Sequence, residues 1–567
     1  MLRCVSAPVS TELWSSSSVR RVVVQSAVKV NVPIPLPRSS QMTLSINAWE
    51  SFLENDSDAE YLLDGVRNGF KITNADMVMK TVRCRNYKSA TAMSKSESEL
   101  QILTEIELGR YVVTPEPPFV VSALGAIPKK DKKVRLIHDL SRPSGGVNIH
   151  TSDTKVVYST IDEAVRLIKP GSYIAKVDLK SAYRSVPIHS SCFAYMGLSW
   201  RFGSDKKATY FYDCRLPFGA SRSCRVFQAI SDSIVRIMYR NNFRCISYID
   251  DFLVIGDSES SCKKGLDFLL DLIPKLGLET NWDKVSQPKN SLSFLGVQID
   301  CVNRTLSLPE DKLAEVKLLL GKWQQKKRFC KKDLQKLVGK LNWCARVVVG
   351  GRTFMRNLIN VMTTLKAPHH FTRLSAAAKA DLAWWKTGLS IFHGIAPFTS
   401  DIALPSHQFA TDACLIGGGA VFDGDWCYVN WEVDMPEFCD SNINILELQM
   451  VHVAAQKWAD KWHGLHIVVR SDNVSTVTSI NKGTSRSEGM LGIIQKLFWM
   501  SVEYGFKLTS VHLPGRLNIL SDKISRMHDA SCAEVAKQLL TFDSELEVCG
   551  HMSHSSYLCL QGCWEMI

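Results

Sequence analysis

Two adjacent carboxylates, Asp250 and Asp251, lie between two short apolar runs of the chain. The runs are 244–247 before the motif Tyr248-Ile249-Asp250-Asp251 and 252–255 after it. This pattern predicts a β-hairpin with the acids at its turn. Neighbouring carboxylates repel each other, and the usual compensation is a divalent cation held by oxygen ligands. A surface hairpin that carries two acids without a metal is the simpler interpretation if no other residues support a metal site.

A third acid, Asp178, ends the strand predicted for residues 173–179. Alternate residues of this strand share an apolar face, and Asp178 falls on the other face. Asp178 could cap a helix that starts near Ser181, or it could be a metal ligand that faces the Asp250-Asp251 turn. Further along, Gly219 precedes a predicted helix, and a glycine there lets the backbone pass close to a ligand.

A basic tip joins two strands predicted around residues 120–128 and 134–140. Its cationic side chains include Lys129, Lys130 and Arg135. Arginine binds phosphate oxygens in pairs and lysine acts as a point charge, so this hairpin could clamp a triphosphate. A solvated turn is the alternative interpretation.

Four further acids recur at strand ends or helix starts in the last third of the chain: Asp412, Glu447, Asp472 and Asp522. Each of them alone would be interpreted as a helix cap. Their placement in a β-β-helix-β-helix-helix order is the pattern expected if they converge on a pair of metal ions.

The chain has 567 residues, enough for several domains, and a net charge of +12. An excess of basic over acidic residues favours a polyanionic partner such as nucleic acid, although a basic soluble protein without such a partner fits the charge as well. The 17 cysteines follow no repeating frame, which indicates free thiols in a reducing compartment. No apolar run approaches the roughly 18 residues of a membrane span, so we expect a soluble protein.

The order and spacing of these motifs resemble the palm of reverse transcriptases. The resemblance rests on Asp178 with Tyr183, Leu216-Pro217-Phe218-Gly219, Tyr248-Ile249-Asp250-Asp251, Lys284 and Phe294-Leu295-Gly296. The four later acids, with His512-Leu513-Pro514-Gly515, are similar to the ribonuclease H domain of retroelements. Features such as Trp384-Trp385 and Asn444-Ile445-Leu446-Glu447-Leu448 resemble the DIRS-like retrotransposons, which use a tyrosine recombinase.

The resemblance implies an α+β, multidomain fold: a right-hand polymerase with fingers, palm and thumb, followed by an α/β ribonuclease H-like domain. The expected segments are a disordered basic Ser-rich arm (1–46), a helical N-terminal region (47–110), fingers and palm (111–300), a thumb (301–365), a connection (366–405), a ribonuclease H-like domain (406–527) and a tail of unknown role (528–567).

The resemblance also implies two metal sites and their substrates. Asp178, Asp250 and Asp251 would hold two Mg²⁺ or Mn²⁺ ions, and Asp412, Glu447, Asp472 and Asp522 would hold two more. The implied substrate contacts are Arg135 and Lys129 or Lys130 on the triphosphate, Tyr183 against the deoxyribose, Gly219 beside the nucleotide, and Lys284 as an acid for pyrophosphate. The role of His512 is open.

The implied partners are an RNA template, a DNA primer, RNA–DNA hybrid and deoxynucleoside triphosphates, with a tyrosine recombinase of the same element and no membrane. We expect an intracellular protein, cytoplasmic or nuclear. The alternative is a decayed or domesticated retroelement protein that binds nucleic acid without catalysis. Seven intact acids favour the enzyme, and the absence of a recombinase favours the alternative slightly.

Overall fold

The computed structural model describes residues 44–73, 81–129, 133–142, 146–151, 156–391, 394–398 and 409–548. Three parts of the chain named above lie outside these residues: Lys130, most of the predicted N-terminal arm (1–46), and the end of the tail after residue 548. The chain forms two compact units, Met1–Phe294 with Asp300–Asn303, and Leu295–Ile299 with Arg304–Ile567. The expectation of a mixed helix-and-sheet, multidomain chain is confirmed. Among the described residues, no helix has the length and apolar character needed to cross a membrane.

The α-helices of the first unit are α1 (Ile46–Phe52), α2 (Ala59–Asn68), α3 (Lys95–Glu107), α4 (Ile161–Leu167), α5 (Ala182–Ser185), α6 (Ser221–Arg240) and α7 (Glu259–Lys275). Its strands are β1 (Val82–Arg83), β2 (Tyr111–Thr114), β3 (Val120–Val121), β4 (Ala123–Pro128), β5 (Val134–Asp139), β6 (Tyr173–Asp178), β7 (Gly197–Trp200), β8 (Thr209–Asp213), β9 (Arg244–Tyr248), β10 (Asp251–Gly256), β11 (Ser286–Lys289) and β12 (Ser291–Phe294).

The central sheet of the first unit has the strand order β11-β6-β10-β9 and is antiparallel. Helices α6 and α7 cover it. The apolar residues of α6 recur every three or four positions, so that Phe227, Ile230 and Ile234 lie on one buried face. That face joins Phe252 of β10 in a single core. The packing fixes the two middle strands, which carry the acids.

A buried ion network attaches α3 to this unit. Arg184 donates to Glu105 Oε2 from Nε at 3.0 Å and from Nη2 at 2.8 Å, and its Nη1 donates to Asp213 Oδ2 at 2.8 Å. All three side chains are at most 8% exposed. Because buried charges are tolerated only when they are paired, these residues link α3 and β8 to the segment that follows Asp178.

The second unit contains α8 (Glu310–Gln325), α9 (Lys331–Cys344), α10 (Arg356–Thr364), α11 (Ala376–Ile391), α12 (Trp431–Asp434), α13 (Ile443–Trp458), α14 (Val474–Lys482), α15 (Glu488–Glu503), α16 (Ile519–Ser525) and α17 (Ala530–Val548). The remaining strands are β13 (Val297–Asp300), β14 (Thr305–Ser307), β15 (Phe329–Cys330), β16 (Phe371–Thr372), β17 (Ile395–Pro397), β18 (Phe409–Ala413), β19 (Gly417–Phe422), β20 (Asp425–Asn430), β21 (His466–Ser471) and β22 (Lys507–His512).

A five-stranded sheet of order β20-β19-β18-β21-β22 dominates the last part of the second unit. The pairs β18–β19 and β19–β20 are antiparallel, whereas β18–β21 and β21–β22 are parallel. Helix α13 is buried against the sheet through Leu446, Leu448 and Trp458, which are fully covered. This arrangement brings the ends of β18 and β21 to the same edge.

Several sequence predictions about individual elements were wrong. The residue pattern of 293–299 predicts a single strand, but this segment forms the end of β12 and most of β13, because Leu295 and Gly296 adopt positive φ values of 50° and 80° and turn the chain. The predicted order of the last domain omitted β20 and β22. The N-terminal region expected to be helical (47–110) contains the helices α1, α2 and α3 and the strand β1. The predicted domain boundaries stay predictions.

Candidate functional site

The Asp250-Asp251 motif forms the turn of the β9–β10 hairpin. Tyr248 pairs with Asp251 across the hairpin, so Ile249 and Asp250 are its two loop residues. On its other side β10 pairs with β6, and there Asp251 lies directly opposite Asp178. Side chains directly opposite in an antiparallel pair are close neighbours. The structure therefore brings Asp178, Asp250 and Asp251 together at one end of the sheet.

The Asp178 carboxylate is almost completely surrounded by hydrogen-bond donors. Lys284 Nζ lies 3.0 Å from Oδ1 and 2.9 Å from Oδ2, and Asn281 Nδ2 donates to Oδ1 at 2.8 Å. The hydrogen bond with Asp178 raises the pKa of Lys284. The sequence suggested Lys284 as an acid for pyrophosphate, and in this structure its ammonium is engaged by Asp178.

The two acids of the turn are less well compensated. Burial raises the pKa of Asp250, and the neighbouring carboxylates of Asp251 and Asp178 raise it further. Lys176 Nζ lies 2.9 Å from Asp251 Oδ1, but this ion pair lacks hydrogen-bond geometry, and Oδ1 is a buried oxygen without a hydrogen bond. Three neighbouring carboxylates, with a raised pKa at Asp250, fit a hard divalent cation that takes oxygen ligands, and such a cation would compete with Lys176 for Asp251.

Tyr183, Phe218 and Arg135 form a stack beside these acids. The ring centroids of Tyr183 and Phe218 are 5.2 Å apart at an interplanar angle of 24°, and Arg135 Cζ lies 5.0 Å from the Phe218 ring centroid. The Tyr183 hydroxyl donates to Cys224 Sγ at 3.1 Å, and burial raises its pKa. The predicted phosphate-binding Arg135 and sugar-contacting Tyr183 are thus connected through Phe218.

The structure supplies a reason for glycine at position 219 that the sequence did not suggest. Gly219 has a φ of 129°, and a Cβ at this position would lie 2.0 Å from the His138 carbonyl oxygen. The glycine therefore allows close approach of another chain segment. In the basic hairpin, the Lys129 N–H donates to the Lys133 carbonyl oxygen at 2.7 Å and closes the turn.

A second group of acids lies in the other unit. Asp412 is in β18, Glu447 is in α13, and Asp472 follows β21 directly. Each offers a carboxylate oxygen, and these oxygens all lie within 4.8 Å of one another. Because β18 and β21 are parallel, their carboxyl ends meet at one edge of the sheet, and α13 places Glu447 there. The group forms through the sheet topology, since the three residues are far apart in sequence.

Burial and mutual repulsion dominate the electrostatics of this group. Burial, followed by the charges of Asp412 and Asp472, raises the pKa of Glu447 to about 9. Burial also raises the pKa of Asp412 to about 6, although the Ser525 hydroxyl donates to its Oδ2 at 2.7 Å. Glu447 Oε2 is a buried oxygen without a hydrogen bond. Three crowded carboxyls with an unpaired oxygen fit a divalent cation, which would favour the ionised forms.

Asp522 does not belong to this group, contrary to the expectation that four acids converge. Arg526 Nε donates to Asp522 Oδ1 at 2.9 Å, and Lys523 Nζ lies 3.6 Å from Oδ2. Its negative charge nevertheless contributes to raising the pKa of Asp412. His512 is exposed at the end of β22, where it pairs with Ser471.

Two other contacts near the acids were missed from the sequence. Gly515 lies against the second group, since a Cβ there would be 2.8 Å from Asp472 Oδ2. Gln228 and Ser231 of α6 contact the backbone of Ile249 in the first group. Both are buried polar residues of a helix whose buried positions are mostly apolar, and that interruption was the available signal.

The chain thus carries two groups of carboxylates, one in each unit, of the kind that hold divalent cations for phosphoryl transfer. Residues 127–299, which include the first group, match the family model described as "Reverse transcriptase (RNA-dependent DNA polymerase)". This segment of the chain is therefore similar to reverse transcriptases.

The chain is also similar to curated viral and transposon proteins. It is 22% identical over 306 residues to protein P of heron hepatitis B virus, covering 52% of this chain and 36% of that protein. It is 23% identical over 300 residues to protein P of duck hepatitis B virus (strain China), covering 51% and 36%. It is 22% identical over 185 residues to the retrovirus-related Pol polyprotein from transposon gypsy of Drosophila melanogaster, covering 32% and 16%. The chain spans little more than a third of the length of the viral relatives.

Solved structures of a foamy viral protease-reverse transcriptase resemble the whole chain weakly. The complex with double-stranded DNA has a TM-score of 0.47 and 15% identity, with 85% of this chain and 99% of that chain covered. The complex with RNA/DNA hybrid has a TM-score of 0.48 and 14% identity, with 82% and 62% covered. Similarity at this level carries no functional conclusion.

Proposed function

We propose that this protein is an RNA-directed DNA polymerase that works with two divalent metal ions at Asp178, Asp250 and Asp251. The observation that carries the proposal is the register of the sheet, in which Asp251 lies opposite Asp178 inside the segment that matches the reverse transcriptase family. The crowding of the three carboxylates, which contributes to the raised pKa of Asp250, supports a divalent cation at this position.

Each nearby residue has a role in the proposed reaction. Bound Mg²⁺ or Mn²⁺ would activate the primer 3′-hydroxyl and stabilise the leaving pyrophosphate. Arg135, with Lys129 or Lys130, binds the deoxynucleoside triphosphate. Tyr183, held by its stack on Phe218, contacts the deoxyribose and excludes a 2′-hydroxyl.

Two more residues serve the same site, Gly219 through its backbone and Lys284 through its side chain. Gly219 permits the close packing on which the nucleotide-facing surface is built. Lys284, an ammonium donor on Asp178, neutralises charge around the acids and is the candidate acid for pyrophosphate.

The second group supports a ribonuclease H activity in the same chain. Asp412, Glu447 and Asp472 would hold the metal ions, and Asp522 would join them when its contact with Arg526 opens. The substrate would be the RNA strand of an RNA–DNA hybrid, which is the product of the first site. Fusion of the two activities is therefore useful, because the second site removes the template that the first site has copied.

We also propose that the protein comes from a retrotransposon, of the DIRS-like group, and that it acts in the cytoplasm or nucleus with a tyrosine recombinase of the same element. Sequencing the DNA on both sides of the reading frame tests this origin. A tyrosine recombinase frame would support it, and an envelope or capsid frame of another element type would contradict it.

The direct test of function is primer extension by the purified protein. With Mg²⁺ the wild-type chain should extend a DNA primer on an RNA template and should cut the RNA of a preformed hybrid. A protein that binds the hybrid but extends nothing with any divalent metal would instead support the decayed or domesticated alternative. The intact acids of both sites favour the active enzyme.

A further inference from the structure

The backbone at Ile249, the residue before Asp250, has an unusual conformation. Ile249 is the first of the two loop residues of the hairpin and has a φ of 55°. Such loop positions favour glycine, asparagine or aspartate, because a β-branched side chain is strained at positive φ. Local sequence preference therefore disfavours this turn, and contacts from elsewhere must hold it.

Helix α6 supplies those contacts on both polar groups of Ile249. The Ile249 N–H donates to Gln228 Oε1 at 2.9 Å, and the Ser231 hydroxyl donates to the Ile249 carbonyl oxygen. The Gln228 and Ser231 side chains are 2% and 0% exposed. Buried hydrogen bonds of this kind are costly to break, because the abandoned partner remains without water.

Gln228 is itself fixed by further polar residues. Its Nε2 donates to Asp232 Oδ1 at 2.7 Å and lies 3.3 Å from the Ser247 Oγ. These contacts determine which end of the amide faces Ile249, so that the oxygen and not the nitrogen meets the N–H. On the opposite side of the turn, the Leu179 N–H donates to the Asp250 carbonyl oxygen at 3.0 Å.

We propose that Gln228 and Ser231 are positioning residues that hold Ile249 at positive φ and thereby aim Asp250 and Asp251 at the metal ions. This inference rests on the proposed polymerase function. Without the two contacts Ile249 would relax toward negative φ, and the carboxylates that follow it would lose their placement opposite Asp178. The two residues touch neither metal nor nucleotide and act only through the turn.

The test compares matched variants of α6. Ser231→Ala and Ser233→Ala each remove one hydroxyl from a fully buried serine, but the Ser233 hydroxyl contacts Asp56 and not the turn. Gln228→Met removes the amide oxygen and the amide nitrogen but keeps a side chain of similar length. The double variant Gln228→Glu with Asp232→Asn keeps an acceptor for the Ile249 N–H and restores a hydrogen bond between positions 228 and 232 with donor and acceptor exchanged.

Two readouts are independent of polymerase turnover. The first is hydrogen–deuterium exchange of the peptide that spans Ser247 to Phe252. The second is binding of Mn²⁺ alone, measured by electron paramagnetic resonance in an Asp472→Asn background, with Asp250→Asn identifying the binding at the first site. We expect Gln228→Met to accelerate exchange and to weaken Mn²⁺ binding about tenfold, the size usual for residues that orient metal ligands.

The pattern across variants decides the inference. Ser231→Ala should shift both readouts in the same direction as Gln228→Met, Ser233→Ala should match wild type, and the double variant should recover toward wild type. The inference would be overturned if the exchange rate and the Mn²⁺ affinity were the same in Gln228→Met, Ser231→Ala and Ser233→Ala. If Gln228→Met fails to fold, shown by loss of its far-ultraviolet circular dichroism signal, the serine pair decides. Failure of the wild type to extend primers would overturn the proposed function. Hydrogen–deuterium exchange of the Ser247–Phe252 peptide would still decide whether α6 holds the turn.

Discussion

Lys284 Nζ lies within 3.0 Å of both carboxylate oxygens of Asp178. A metal ion that binds Asp178 must share these oxygens with the ammonium or displace it. Lys284 therefore opposes metal binding at the same time as it neutralises the three acids.

This competition predicts the effect of Lys284→Met. The variant should need less Mg²⁺ for half-maximal primer extension than wild type, because the Asp178 oxygens are released, while its maximal rate falls because a cation near the pyrophosphate is lost. Steady-state extension at varied Mg²⁺ measures both quantities. Lys180→Met is the matched control, since Lys180 pairs with Glu279 and not with an acid of the site. A Lys284→Met variant that needs more Mg²⁺ would contradict the competition.

The two groups of acids lie in different units, so we expect each activity to be lost separately when its own acids are substituted. Asp250→Asn should reduce primer extension by several orders of magnitude and leave cleavage of a preformed hybrid unchanged, because the acids proposed to cleave the hybrid belong to the other unit. Asp472→Asn should have the opposite effect. Gel assays on one primer–template and one hybrid measure both activities, and loss of both activities in either variant would argue against two separate sites.

The buried network of Arg184 predicts a large effect on stability. Arg184→Met removes the cation that the buried Glu105 and Asp213 share. Glu105 then keeps Arg110 Nη1 at 3.8 Å and Asp213 keeps the Arg215 N–H at 3.0 Å, so the free energy of unfolding should fall by about 3–5 kcal/mol. Arg67→Met, which removes an exposed partner of Glu50, should cost at most about 1 kcal/mol. Urea denaturation measures both variants. Adding Glu105→Gln and Asp213→Asn to Arg184→Met should recover part of the loss, and no recovery would contradict this explanation.

Asp381 in α11 predicts a dependence of stability on pH. It is 1% exposed, and burial raises its pKa to about 6, although Asn357 donates to it from the backbone N–H and from Nδ2, both at 3.0 Å. A carboxyl whose pKa is higher in the folded state contributes stability below its unfolded value of 3.8 and loses that contribution as pH rises through about 6.

The corresponding variant is Asp381→Asn, which cannot titrate. The drop in unfolding free energy between low and neutral pH should shrink by about 3 kcal/mol relative to wild type, because a change of two pKa units has that size. Urea denaturation followed by tryptophan fluorescence at several pH values measures the difference. Parallel curves for the variant and the wild type would show that Asp381 is not the titrating group.

Some sequence predictions depended only on local pattern, and those succeeded. Residue pattern along the chain located the β9–β10 hairpin, β6 and α6. Where backbone conformation departed from local preference the predictions failed, as at Leu295 and Gly296. The strands β20 and β22 were missed because their residues are only partly buried and show weak alternation.

The sequence by itself determined the identity and order of the acids, the hairpin that carries two of them and the resemblance to reverse transcriptases. These follow from residue type and short spacing, which act along the chain. The tertiary structure alone decided that Lys284 engages Asp178, that Asp412, Glu447 and Asp472 meet at one edge of the sheet, and that α6 holds Ile249. It also decided the raised pKa of Glu447, because burial and the charges of distant residues exist only once the chain has folded.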